Sequence, residues 1–172
     1  DSQENIIALS LQSHTQYILG ANINLNSDFE GIELVSNVIF DGNGRTITIK
    51  NTSIDWKGLF KPKEDKINIK IKNIKLYLDN TNIASNGGGI LMNSNDTRGL
   101  RITIDNCSVE GSYTIGQSGG GVVGEDAGCD HGKCVVSNCY STGTIGRYGG
   151  AFQENYGVLL RDFMYMFLER GN

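Results

Sequence analysis

Cys129-Asp130-His131-Gly132-Lys133-Cys134 brings two thiols and an imidazole together within one short stretch. Zinc would need a fourth ligand, and structural sites usually draw on two separated ligand pairs. No second pair accompanies this one, so neither a metal nor another cofactor is expected. The thiols have other uses. Cys107 and Cys139 fall at the same position of an internal repeat. In stacked coils they would come within disulfide reach, since bridged Cα atoms lie about 4.4–6.8 Å apart. Both, like Cys134, also fall at positions that isoleucine occupies elsewhere, where a buried Cys acts as a small hydrophobe. Two readings stand: three core thiols, or one disulfide, for which Cys129 and Cys134 across a short loop are best placed.

Carboxylates are the other candidates for chemistry. Cutting a polysaccharide takes grouped acids, or an acid-bound cation beside a base, along one outer face. Aligning the repeats places Lys72, Asp105 and Ser137 in one outward column and Tyr77, Glu110 and Thr142 in another. These columns hold single carboxylates. Glu125, Asp126 and Asp130 do cluster, but in a loop where solvated surface is the simpler explanation. Arg98 and Arg101 flank a strand with no Asp pair to match. No catalytic residue is therefore assigned, and Lys72, Asp105, Tyr77 and Glu110 are read as a candidate ligand face. Asn51-Thr52-Ser53, Asn95-Asp96-Thr97 and Asn106-Cys107-Ser108 fit the glycosylation triplet, although Asn106 is expected to be buried.

Such columns exist only if the chain stacks on itself, and three stretches say that it does. Ile69-x-Ile71-Lys72-Asn73-Ile74, Ile102-x-Ile104-Asp105-Asn106-Cys107 and Cys134-x-Val136-Ser137-Asn138-Cys139 are near copies, about 32 residues apart. Gly88-Gly89-Ile90, Gly120-Gly121-Val122 and Gly149-Gly150-Ala151 trail them. A repeat of this length built from strand residues and Gly turns marks a solenoid. Ile67, Ile69 and Ile71 alternate with polar residues as a half-buried strand requires. The phase then slips at Asn73 before Ile74, Leu76 and Leu78 resume the alternation. Asn tolerates the left-handed conformation of a tight corner. Stacking predicts a ladder of Asn73, Asn106 and Asn138 at the spacing of paired strands, about 4.8 Å.

At 172 residues one domain suffices, and 23 Gly with one Pro suit many turns between short strands. With 15 basic and 19 acidic side chains the net charge is −4, and no run of Lys or Arg forms a stripe, which argues against nucleic acid. No apolar run reaches the roughly 18 residues that span a bilayer. The first 25 residues lack the basic start and apolar middle of a signal peptide.

Asp41-Gly42-Asn43-Gly44-Arg45-Thr46-Ile47 resembles the opening of right-handed parallel β-helix proteins of the pectate-lyase-like superfamily. Gly120-Gly121-Val122-Val123-Gly124 and Asn138-Cys139-Tyr140-Ser141-Thr142-Gly143 resemble the GLUG-type repeat of bacterial surface proteins and of giant-virus proteins. The resemblance covers roughly residues 37 to 152. It implies display at a virion or cell surface and binding of glycan or protein. A polysaccharide lyase or hydrolase of the same fold is the alternative, because one fold hosts many functions. His131-Gly132 is similar to the His-Gly of polygalacturonases, but their Asp-Asp and Arg-x-Lys motifs are missing.

The expectation is an all-β, right-handed parallel β-helix of about four to five coils, with three strands per coil. Residues 1–16 would form an N-terminal cap, 17–156 the coils and 157–172 a capping helix, with homo-oligomer contacts as a lesser role for that helix. Leu159, Leu160, Phe163, Met164, Phe167 and Leu168 would line one face of the helix, opposite Arg161, Asp162, Tyr165 and Glu169.

Overall fold

The computed structural model describes residues 11–25, 29–50, 54–93, 98–125 and 132–145, and the backbone of 158–161. In chain order the strands are β1 (Gln16–Ile18), β2 (Ile23–Leu25), β3 (Ile32–Leu34), β4 (Val38–Asp41), β5 (Thr46–Lys50), β6 (Phe60–Pro62), β7 (Asn68–Lys72) and β8 (Lys75–Asp79). They continue with β9 (Arg101–Asp105), β10 (Ser108–Gly111), β11 (Thr114–Ile115), β12 (Lys133–Ser137), β13 (Tyr140–Ser141), β14 (Thr144–Ile145) and β15 (Val158–Arg161).

All strand pairs are parallel, and each strand pairs with its counterpart one turn away, as in a β-solenoid. The first face stacks β1, β4, β7, β9, β12 and β15, and the second stacks β2, β5, β8, β10 and β13. The return path is looser. It is carried by the pairs β3–β6 and β11–β14 and by single bridges such as Gly88 to Gly120 and Leu91 to Val123. About three turns repeat the full unit of strand, asparagine corner and strand, against the four to five coils expected; the turns before them use other corners.

Alternation explains which side of each strand is buried. Ile69, Ile71, Ile102, Ile104, Cys134 and Val136 point inward and are almost wholly covered, while Asn68, Lys70, Arg101 and Lys133 face solvent. Where strands of one face give way to the next, the core is continuous: Ile74, Leu76 and Leu78 of the second face pack with the first-face isoleucines. Each fully buried side chain of this size contributes on the order of 1.5–3 kcal/mol before ordering entropy is subtracted. Phe40 and Phe60, both buried, meet edge to face at 4.9 Å between ring centres.

The segment from Val158 to Arg161 departs from expectation. It is not helical but adds β15 to the first face, with Cys134 opposite Val158 and Val136 opposite Leu160. An apolar run of this length fits helix and strand periods alike. The outer edge of β12 decides between them, because its unpaired main-chain groups are satisfied by another strand and not by a helix laid across them. The rest of the expected capping helix, residues 162–172, lies outside the described residues, as does the N-terminal cap up to residue 10. Among the described residues no helix is long and apolar enough to cross a membrane.

Candidate functional site

The corner between the first and second faces is built by left-handed asparagines. Asn73, Asn106 and Asn138 have φ of 56°, 52° and 52°. At such a corner the side chain is thrown outward, so Asn106 and Asn138 are exposed and Asn73 is half-buried. The expected burial of Asn106 is therefore corrected. The amides still interlock: Asn106 Nδ2 donates to Asn73 Oδ1 at 2.8 Å, and Asn73 Nδ2 donates to Asp41 Oδ1 at 2.9 Å. Asn138 Nδ2 turns instead to Asp105 Oδ1, at 3.0 Å. Carboxylates thus anchor the amide rungs, a role for Asp41 and Asp105 that the sequence reading missed. Its signal was an acid just before two of the left-handed asparagines, Asp41 before Asn43 and Asp105 before Asn106.

Of the residues singled out as a ligand face, the structure brings some together and parts others. Lys72 and Asp105 lie opposite each other at the corner end of the first face. Tyr77 and Glu110 lie opposite each other on the second face. The asparagine corner stands between the two pairs, so they do not form one platform. Lys72 Nζ pairs with Asp41 at 2.9 Å. Asp105 accepts hydrogen bonds from Ser137 Oγ at 2.8 Å and from Asn138. Those two bonds, Asn138 first, hold its carboxyl below the usual range.

The second face has a denser arrangement. Glu110 accepts from Lys75 Nζ at 2.8 Å, from Ser108 Oγ at 3.1 Å and, through a short bond, from the Tyr140 hydroxyl. Burial alone would raise the Glu110 carboxyl, but the hydrogen bonds from Lys75, Tyr140 and Ser108 outweigh it and hold the group below the usual range. The same bonds raise Lys75 and Tyr140. Lys75 and Tyr140 sit on either side of Ser108 in register, and Tyr77 sits beside Glu110. Tyr77 and Tyr140 are each about 40% exposed. Lys75 and Tyr140 were missed because each matters only through a neighbour one turn away; both follow an Asn corner by two residues.

The described cysteines are core groups. Cys107, Cys134 and Cys139 are buried free thiols. Cys107 N–H donates to Cys139 Sγ at 3.3 Å, and the two thiols stack without a disulfide. Burial pushes the Cys134 thiol up to about 12. Cys107 is raised by its contact with Cys139 and by burial. Cys129, His131, Asp126 and Asp130 lie outside the described residues, as do the triplets at Asn51 and Asn95. Among the described residues no group of three His, Cys, Asp or Glu side chains is arranged to hold a metal.

No protein-family model matches the chain, and neither the curated proteins nor the solved structures contain a significant match to it.

Proposed function

We propose that the chain is a non-catalytic recognition module, a rigid β-solenoid that presents a saccharide-binding patch on its second face. The observation that carries this reading is the pair of half-exposed tyrosines, Tyr77 and Tyr140, set around the Lys75–Glu110 ion pair. Aromatic rings offer a flat apolar surface with a polar tip, which suits the C–H faces and hydroxyls of a sugar. The charges of Lys75 and Glu110 cancel, which favours a neutral sugar. Glu110 is held ionised, so it accepts hydrogen bonds and is ill suited to give the proton that glycosidic cleavage demands. Rigid stacking of turns keeps such a patch in place without ordering on binding. The Gly88–Gly120 bridge and the Asn138-Cys139-Tyr140-Ser141 corner support, within this reading, a right-handed β-helix with GLUG-type repeats, of the kind displayed on surfaces.

The test is a binding screen over neutral and acidic polysaccharides with a parallel assay for released reducing ends and unsaturated products. Binding of a neutral saccharide, weakened about tenfold in Tyr77→Ala and Tyr140→Ala, is expected, in line with the loss of one stacking contact. Steady product release would overturn the non-catalytic reading. Saccharide binding untouched by both substitutions would overturn the placement of the patch.

A further inference from the structure

The first face carries a feature of the opposite character. Its outward rows run Asn68–Arg101–Lys133, Lys70–Thr103–Val135 and Lys72–Asp105–Ser137 across β7, β9 and β12. Arg101 and Lys133 are thus directly opposite in adjacent parallel strands, about 4.8 Å apart in the backbone, with Lys70 diagonal to Arg101. All three are exposed. Like charges set opposite each other across a strand pair are destabilising. Among the described residues no carboxylate forms an ion pair with any of the three. The acids on the face are engaged elsewhere: Asp41 holds Lys72 and Asn73, and Asp105 takes the Ser137 and Asn138 hydrogen bonds while sensing the Lys70 charge. The solenoid thus keeps two cations directly opposed, with a third on the next row. In a chain of net charge −4 this is a local reversal of sign.

We infer that the first face binds a sulfated polysaccharide through Lys70, Arg101 and Lys133, the polymer running along the stack of strands. The repeat sets Arg101 and Lys133 at the strand spacing with Lys70 one row away, so closely placed anions on one polymer meet all three. Arg101 offers a planar fork to a sulfate oxygen pair, and the two lysines act as point charges. A single-stranded nucleic acid is a poorer occupant, because it needs aromatic platforms for its bases. The outward positions of β7, β9 and β12 contain no aromatic side chain. The column escaped the sequence reading because Arg101 and Lys133 stand 32 residues apart and form no run. This surface is separate from the Tyr77–Tyr140 patch, and its ligand is anionic where that patch favours a neutral one.

The experiment is fluorescence anisotropy of a labelled heparin oligosaccharide titrated with the full chain at several salt concentrations, with thermal melting of every variant. The intact protein should bind, with log affinity falling linearly against log salt. Arg101→Gln with Lys133→Gln should lose about tenfold in affinity, and the salt slope should fall by roughly one for each charge removed. Its melting temperature should hold or rise, since the substitution relieves repulsion. Should that double variant unfold, Lys70→Gln and Lys133→Gln taken singly carry the same expectation at smaller size. Heparin binding unchanged by these substitutions overturns the inference, as does loss of heparin binding in Tyr77→Ala. Tighter binding of a single-stranded oligonucleotide than of heparin overturns the choice of polymer.

Discussion

Asn106→Ala should destabilise the solenoid by about 1–2 kcal/mol, and the structure says where that comes from. Asn106 sits at φ 52°, a conformation that an L-residue with an ordinary Cβ adopts at a cost of roughly 1 kcal/mol. Its amide also donates to Asn73 across one turn, a bond exposed to water and so contributing about 0.5–1 kcal/mol. Alanine forfeits both. Asn106→Gly forfeits only the hydrogen bond, because glycine accepts positive φ without strain, and should cost no more than about 0.5–1 kcal/mol. For a chain of this size the alanine variant should melt about 2–8 °C lower, the glycine variant by less than half of that. Circular dichroism at the strand band, followed through heat and through urea, measures both. Equal losses in the two variants would refute the argument from backbone handedness. No loss in either would remove the asparagine ladder from the account of stability.

Three further outcomes follow from the same geometry. At Gly111, φ is +121° and an added Cβ would lie 2.1 Å from the Leu78 carbonyl oxygen, so Gly111→Ala should cost at least about 2–3 kcal/mol. Gly44→Ala, with φ +67° and open space around it, should cost only about 1 kcal/mol, and similar melting losses in the two would contradict the structure. Asp41, Asp105 and Glu110 are all held below the usual carboxylate range. Each therefore contributes stability that is present above its unfolded value, near pH 4, and is lost as pH falls through its lower folded value. Melting temperature should decline below about pH 4, and Glu110→Gln should flatten that decline; an unchanged acid limb would count against the Glu110 network. Finally, Cys107, Cys134 and Cys139 should react with a maleimide only after denaturation, counted in a Cys129→Ser background, and reductant should leave the melting temperature unchanged. Rapid labelling of the native chain would show that these thiols are not core groups.

Much of the fold was legible because a solenoid turns local pattern into global structure. The period of about 32 residues named the stack, and the two-residue alternation of Ile67 to Ile71 named the buried side. The slip at Asn73 named the corner. Residues 158–161 were misread as helix because Val and Leu satisfy a helical and a strand period alike over so short a run, and only the open edge of β12 distinguishes them. Asn106 lies at the expected corner but on the surface and not beneath it. Sequence spacing gives the position of a turn, not the direction in which a left-handed residue throws its side chain.

What the chain determined by itself is what lies within one repeat: which residues face inward, where the chain bends, and which residues of successive repeats share a row. What only the tertiary structure decided is how groups a turn apart are shared. Asp41 went to Lys72 and Asn73, Glu110 to Lys75 and Tyr140, and among the described residues the opposed Arg101 and Lys133 were left without a carboxylate ion pair. The physical reason is range. Periodicity and backbone preference act over a few neighbouring residues, whereas hydrogen bonds and charge act through space, between side chains that stacking brings to about 5 Å although some 32 residues separate them along the chain.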